Sequence, residues 1–175
     1  FGSFNNLAKL SVAAIDLWAP VLNQVPGSRL FLKNAKLADT RTCERISRAF
    51  AERGVTSDRL RFGVHSPSLT EHLAAYADVD VALDPFPYTG GTTTADALWM
   101  GVPTVTLPGS THPSRMSASM LTAAGFPEWI ASSPEDFVLK AKTLAASWQA
   151  LSSEDRLALR LARRARMAHS ELGNA

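Results

Sequence analysis

The segment Gly90–Thr94, which reads Gly-Gly-Thr-Thr-Thr, has the residue types best suited to holding an anion. It opens a predicted helix directly after an apolar run, Val79–Leu83. The first N–H groups of a helix have no partner within the helix and bear partial positive charge, so they can hold a phosphate. Glycine lets the backbone approach a ligand, and threonine hydroxyls add donors. Asp96, early in the same helix, can accept a hydrogen bond from a sugar hydroxyl. Together these residues predict a nucleotide-diphosphate site.

The same segment also fits a simpler interpretation, a tight turn from strand to helix with threonines as caps. It has neither the lysine–serine ending of a P-loop nor the glycine spacing of a dinucleotide fingerprint. Lys9 follows the first predicted strand, where its ammonium would neutralise a departing diphosphate, unless it is an ordinary surface lysine. His72 lies on a short predicted helix, where its ring either contacts a base or ribose or is a half-buried structural residue.

Apolar, strand-like runs alternate along the chain with helical patterns. The strands are predicted at Phe1–Phe4, Arg29–Lys33, Leu60–Phe62, Val79–Leu83 and Thr104–Leu107. The helices are predicted at Ser11–Gln24, Thr40–Arg53, Ser68–Tyr76, Thr92–Met100, Ser114–Ala124, Pro134–Ser147 and Ser153–His169. Such alternation predicts an α/β fold with a doubly wound parallel sheet. Ligands of these sheets bind beyond the carboxyl ends of the strands, where the Gly90–Thr94 segment lies.

Some local signals refine the predicted helices. Pro20 falls inside the first one, where proline costs about 3 kcal/mol, so we expect a kink or two separate pieces. The last helix has Leu157 and Leu161 on one stripe and arginines elsewhere, which predicts that its leucine face packs. The predicted N-caps are Ser11, Ser68, Ser133 and Ser153.

Composition narrows the class of protein. The chain has 175 residues, of which 46% are hydrophobic and 19% charged, which fits one globular domain. A formal net charge of +2 argues against nucleic acid as a partner. The single cysteine, Cys43, excludes an internal disulfide and suits a cytoplasmic location. We expect no membrane span, since no run of about 18 apolar residues exists. The chain opens at Phe1, in strand-like sequence, so we interpret it as part of a longer protein.

Several ordered motifs together resemble the carboxyl-terminal catalytic lobe of the protein O-GlcNAc transferases, including bacterial and SPINDLY-like members. The motifs are Phe4–Lys9, Pro67–His72, Asp78–Asp84 and Tyr88–Pro103, followed by Ser114, Arg115 and Ser119. The family has the two-lobed GT-B fold. The resemblance therefore implies that residues 1–150 form one Rossmann-like, nucleotide-sugar-binding lobe of a GT-B glycosyltransferase. Residues 151–175 would form a C-terminal helix that packs on this lobe or towards the amino-terminal lobe, which the sequence lacks.

The resemblance also implies a role for each matching residue. Lys9 would contact the donor phosphates and steady the leaving UDP, with Asn6 nearby. His72 would lie beside the base and ribose, and Asp96 would bind the ribose. The remaining donor-binding residues are Ser66, Pro67 and Ser68 at the uracil, and Gly90, Gly91, Thr92 and Thr93 at the diphosphate. Animal members have histidine where this chain has Gly91, which removes one possible phosphate contact.

The implied activity is that of an inverting O-glycosyltransferase, which moves a sugar from UDP, N-acetylglucosamine by this resemblance, to Ser or Thr of a protein. No metal ion or cofactor is expected, and the catalytic base would lie in the other lobe. This chain alone would therefore transfer little or no sugar. Tetratricopeptide repeats would select the protein acceptor. The alternatives are a transferase that uses GDP-fucose or a nonulosonic acid donor, as in flagellin modification, and a non-catalytic nucleotide-binding or interaction module.

Overall fold

The computed structural model describes residues 1–64 and 66–174. Within these residues the strands are β1 (Gly2–Ser3), β2 (Leu30–Lys33), β3 (Leu60–Gly63), β4 (Ala82–Leu83) and β5 (Thr104–Val105). They form one sheet in the order β3-β2-β1-β4-β5, with every neighbouring pair parallel. The predicted α/β fold with a doubly wound parallel sheet is confirmed, although β1, β4 and β5 are each shorter than their apolar runs.

Helices cover both faces of this sheet. They are α1 (Val12–Gln24), α2 (Thr40–Ala51), α3 (Leu69–Ala74), α4 (Thr92–Trp99), α5 (Met116–Ala123), α6 (Pro134–Gln149) and α7 (Ser153–Ala168). α1 packs against α2 and α6 on one face, while α4 lies on the other face and packs against α5 and α7. Among the described residues, no helix is long and apolar enough to cross a membrane.

Apart from the edge strand β3, the strands are buried at every residue, which explains why they lie in apolar runs rather than in alternating patterns. In β2, Leu30 and Leu32 join the core beneath α1 and α6, together with Trp18. Phe31, between them, joins the opposite core with Phe4. Successive side chains of a strand point to opposite faces, so Leu30, Phe31 and Leu32 must all be apolar.

α1 is one continuous helix that contains Pro20, so the prediction of two separate pieces is wrong. Pro20 removes one backbone donor, which would weaken an isolated helix. Here Ala14, Trp18 and Leu22 are buried in the sheet-side core, and burial of each large side chain contributes about 1.5–3 kcal/mol. Tertiary packing therefore outweighs the lost hydrogen bond.

α7 packs by a different face from the predicted one. Leu157 and Leu161 are 60% and 56% exposed, so the prediction that its leucine face packs is wrong. Arg160 points inward instead and donates from Nη1 to the Tyr76 carbonyl (3.1 Å) and from Nη2 to the Val79 carbonyl (2.8 Å). Backbone carbonyls beside α3 thus offer acceptors that an arginine can use and a leucine cannot.

A close backbone approach fixes α7 against the end of α4. Gly101 has a φ of +69°, and an added Cβ would collide with the backbone of Arg160. Only glycine satisfies both the left-handed conformation and this contact.

The assignment of residues 151–175 as a unit apart from residues 1–150 stays a prediction.

Serine side chains cap several helix starts, as predicted. Ser11 accepts from the N–H of Ala14, Ser68 from that of Glu71, and Ser133 from that of Asp136. The predicted cap at Ser153 is wrong by one residue. Ser152 is the N-cap of α7 and accepts from the N–H of Asp155 at 3.1 Å, because Ser152 has the extended backbone that a cap requires.

Candidate functional site

The strand order places a topological switch point at the carboxyl ends of the paired strands β1 and β4, and the space between the loops that follow them is called the crevice below. The chain leaves β1 towards β2 and leaves β4 towards β5, so the two loops at the carboxyl ends of β1 and β4 diverge. Ligands of doubly wound sheets bind at this kind of switch point. One of the two loops contains Lys9 and the other contains the Gly90–Thr94 segment. The fold therefore brings together the cation and the helix start that the sequence singled out.

Lys9 is held at the beginning of the Gly90–Thr94 segment. It ends a 3₁₀ turn, Leu7–Lys9, and its Nζ donates to the Thr89 carbonyl at 2.8 Å. The same ammonium lies 4.4 Å from the centre of the Tyr88 ring. Partial burial lowers the pKa of Lys9, and the carboxyl of Asp84 opposes this shift. These contacts fix a positive charge beside the crevice.

The start of α4 has no side-chain cap. Its N-cap is Gly91, whose carbonyl accepts from the N–H groups of Thr94 and Ala95. The first turn contains no acidic residue. The N–H groups of Thr92 and Thr93 lie in that turn, where no intrahelical partner exists, so they are suited to an anion.

The two glycines before α4 have different steric environments. The Gly90 N–H donates to Asp84 Oδ1 at 2.8 Å, and an added Cβ would collide with Thr94 Oγ1 and that carboxyl oxygen. An added Cβ on Gly91 would meet no atom within 4 Å. Glycine is thus required at 90 by close packing, whereas position 91 has room for a side chain.

Asp84, which was not among the predicted site residues, lies buried at the start of the loop between β4 and α4. Its Oδ2 accepts from Thr106 Oγ1 at 2.6 Å, and its carbonyl accepts from Trp18 Nε1 at 3.1 Å. Complete burial raises the pKa of Asp84 to about 6, and hydrogen bonds and the charge of Lys9 act in the opposite direction. An acidic residue at the end of a buried strand is the sequence signal that could have identified it.

His72 and Asp96 meet on the same side of the sheet. His72 Nε2 lies 3.4 Å from Asp96 Oδ2, and the imidazole packs edge-on against Phe4 and Tyr76. Lys33, at the end of β2, places Nζ 3.0 Å from His72 Nδ1. The structure thus joins two predicted ribose-side residues and adds a lysine that the sequence interpretation missed.

Asn5, the neighbour of the predicted donor-binding residue Asn6, contacts the start of α4. Asn5 Oδ1 accepts from Thr93 Oγ1 at 2.8 Å. Asn6 is exposed, and its side chain accepts from the N–H of Ala8 at 3.0 Å, so it caps the 3₁₀ turn before Lys9. A contact between Asn6 and the donor phosphates stays a prediction.

The predicted uracil loop lies before α3. Ser66 is half-buried, and Pro67 and Ser68 are exposed. The side chain of Ser68 is engaged as the cap of α3, so any role of this residue in reading a base would fall to its backbone. The assignment of these three residues to uracil stays a prediction.

No group of three or more His, Cys, Asp or Glu side chains in the described part of the chain is arranged to hold a metal ion. The expectation that the reaction needs neither metal nor cofactor stays a prediction.

Comparison with known proteins agrees with this geometry. A solved structure of a mutant O-GlcNAc transferase from Thermobaculum terrenum matches with a TM-score of 0.86 and 37% identity, over 99% of this chain and 33% of that chain. This match confirms the predicted Rossmann-like lobe of a GT-B enzyme.

Curated relatives from plants match over nearly the same length. The rice protein named probable UDP-N-acetylglucosamine–peptide N-acetylglucosaminyltransferase SPINDLY is 39% identical over 160 residues, which are 91% of this chain and 17% of that protein. The Arabidopsis thaliana protein of the same name is 36% identical over 174 residues, 99% of this chain and 18% of that protein. The chain thus spans less than a fifth of these relatives.

The sequence pattern of one family extends over almost all of the chain, from residue 1 to residue 170. It includes β1 with Lys9, the α3 segment with His72, and the start of α4. By this match the chain belongs to glycosyl transferase family 41.

Proposed function

We propose that this chain is the donor-binding lobe of an inverting O-glycosyltransferase that moves N-acetylglucosamine from UDP to Ser or Thr hydroxyls of proteins. The observation that supports this most directly is the placement of Lys9 beside the uncapped start of α4, at the switch point of the sheet. The names of the plant relatives supply the sugar, the nucleotide and the peptide acceptor.

The leaving group determines what this lobe must do. As the bond between the sugar and the diphosphate breaks, negative charge grows on the phosphate oxygens. The Lys9 ammonium and the N–H groups of Thr92 and Thr93 are fixed before the reaction, so they stabilise that charge without reorganising. Asp96 would accept ribose hydroxyls, and His72 would contact the base and ribose.

The acceptor side of the reaction belongs to other parts of such an enzyme. We propose that an amino-terminal lobe supplies the base that deprotonates the Ser or Thr hydroxyl, and that tetratricopeptide repeats select the acceptor. The chain covers 33% of the solved bacterial transferase and under a fifth of the plant relatives, which leaves ample sequence for both. A reducing, cytoplasmic location suits the free thiol of Cys43.

Ligand-induced stabilisation of the chain tests the donor. Thermal unfolding is measured with UDP, GDP and CMP. A ligand at ten times its Kd stabilises the fold by about 1.4 kcal/mol. In a chain of this size, that gain raises Tm by about 3–6 °C. We expect this rise with UDP and a much smaller one with GDP or CMP.

The matched variants are Lys9→Ala and Lys36→Ala. Lys36 is an exposed lysine after β2, so its loss removes the same charge from another loop. We expect the UDP-induced rise in Tm to shrink in Lys9→Ala and to persist in Lys36→Ala. A larger rise with GDP than with UDP would overturn the proposed donor, and no rise with any nucleotide would favour a purely structural lobe.

A further inference from the structure

A buried lysine that the proposed reaction does not use lies behind the nucleoside side of the crevice. Lys33 is the last residue of β2 and is only 7% exposed. Its Nζ lies 3.0 Å from His72 Nδ1 and 5.3 Å from the centre of the Phe4 ring. Burial of an ammonium is costly unless it has partners, so the groups that Lys33 contacts indicate its role.

The chemistry of the two side chains fixes the direction of their hydrogen bond. A lysine ammonium has three donors and no acceptor, so His72 Nδ1 is the acceptor. A neutral imidazole that accepts at one nitrogen has its proton on the other. The proton therefore lies on Nε2, the atom that faces Asp96 Oδ2 at 3.4 Å. Lys33, His72 and Asp96 thus form a row in which Lys33 donates to His72, and the Nε2–H of His72 faces Asp96.

The surroundings of the imidazole hold this row in place. The charged and titratable groups around it include Lys33 on β2, Tyr76 after α3 and Asp96 on α4, and Glu71 on α3 acts on Lys33. Burial lowers the pKa of Lys33, and the negative charge of Glu71 opposes this shift. The rings of Phe4 and Tyr76 contact the imidazole edge-on and restrict its rotation.

We propose that Lys33 is a positioning residue of the donor site, which fixes His72 in its Nε2–H form and thereby holds Asp96 for the ribose. A carboxylate has room for several hydrogen bonds, so Asp96 can take the imidazole N–H and a ribose hydroxyl at once. This proposal rests on the proposed function for the identity of its ligand, while the tautomer of His72 is a property of the free protein.

Nitrogen NMR of the imidazole tests the row without any ligand. In ¹⁵N-labelled wild-type chain at neutral pH, we expect the His72 signals to show protonated Nε2 and unprotonated Nδ1. Lys33→Met removes the ammonium and keeps the length of the side chain, so the Nδ1–H or doubly protonated form should appear. Lys36→Met, which changes an exposed lysine three residues further on, should leave the His72 signals unchanged.

A predominantly Nδ1–H signal in the wild type would overturn the proposal. That spectrum requires no variant, so it decides the matter even if Lys33→Met fails to fold.

Calorimetry with UDP tests the consequence for the ligand. We expect Lys33→Met to raise the Kd for UDP about tenfold, as expected for a lost hydrogen bond to a charged group. Lys36→Met should stay within about twofold of the wild type. An altered tautomer with an unchanged Kd would overturn the positioning role. Failure of the wild type to bind UDP would count against the proposed donor, while the imidazole spectrum would still confirm or overturn the tautomer.

Discussion

The starts of α4 and α6 satisfy the same physical need in opposite ways. At α6, residues adjacent in sequence satisfy the backbone N–H groups. Ser133 accepts from the N–H of Asp136 at 3.2 Å, and Pro134 occupies a position where no N–H is needed. The carboxylate of Asp136 accepts from the N–H of Ser132 at 2.8 Å. This helix start is complete without any ligand.

At α4 the polar residues come from distant parts of the chain. Asn5 from the end of β1 accepts from Thr93, and Asp84 from the end of β4 accepts from Gly90. Lys9 brings a positive charge to a helix start that already favours anions. Residues from the ends of β1 and β4 thus hold the start of α4, while no side chain caps its first N–H groups. Such a helix start is suited to hold a ligand. The comparison therefore separates a helix start that is complete by itself from one that is suited to a ligand.

Removal of Lys9 should give the largest effect. In an active transferase that contains this lobe, we expect Lys9→Ala to lower kcat by about 10²-fold to 10³-fold, because one preorganised charge partner of the leaving diphosphate is lost. Steady-state kinetics with saturating donor measures it. Lys36→Ala is the matched control and should stay within about twofold of the wild type. An unchanged kcat in Lys9→Ala would make the two helix starts equivalent in function.

The two glycines before α4 sharpen the comparison within a single loop. Gly90→Ala should destabilise the fold by about 1–3 kcal/mol, because the methyl group collides with Thr94 and Asp84. At about 2–4 °C per kcal/mol, Tm should fall measurably in a thermal scan. Gly91→Ala places its methyl group in open space and should leave Tm nearly unchanged. Equal losses in both variants would show that Gly90 is not specially packed.

The buried carboxyl of Asp84 should make the stability of the lobe depend on pH. Its pKa is raised from 3.8 to about 6 in the folded state, chiefly by burial, so the folded state binds more protons between these values. The free energy of unfolding should therefore rise as pH falls from 7.5 to 5, by about 1.4 kcal/mol for this group.

Asp84→Asn removes this contribution and keeps an acceptor for the Gly90 N–H. Urea unfolding of both proteins at pH 7.5 and pH 5 measures the difference, and subtraction of the variant cancels the other titrating groups. If the difference in unfolding free energy between wild type and Asp84→Asn were the same at both pH values, the pKa of Asp84 would not be raised. Its carboxyl would then lie in a more polar environment than its burial indicates.

Local sequence predicted the elements well because each apolar run is long enough to be buried. The run Val79–Leu83 nevertheless yields a strand of only two residues, Ala82–Leu83. Val79 and Val81 are fully buried like strand residues, so the pattern indicated burial correctly. The extent of a strand depends on which backbone groups pair, and an apolar pattern does not contain that information.

Sequence reasoning identified candidate residues whose roles follow from their own segment. It missed residues whose roles depend on contacts with other strands. The Gly90–Thr94 segment is recognisable as a helix start from its own residues. The roles of Asn5, Lys33 and Asp84 depend on the strand order, which brings the ends of β1, β2 and β4 to one edge of the sheet. The inward turn of Arg160 likewise depends on carbonyls about 80 residues away in sequence.

The smallest effect is expected at the start of α6, where only local stability is involved. Ser133→Ala removes the cap, which should cost about 1 kcal/mol and lower Tm by about 2–4 °C. The Kd for UDP should stay unchanged, because α6 covers the sheet face beneath α1 and does not border the crevice. Lys9→Ala should show the reverse, a weaker Kd for UDP with little change in Tm. If Ser133→Ala weakened UDP binding, the crevice would depend on the sheet as a whole rather than on the residues that surround the start of α4.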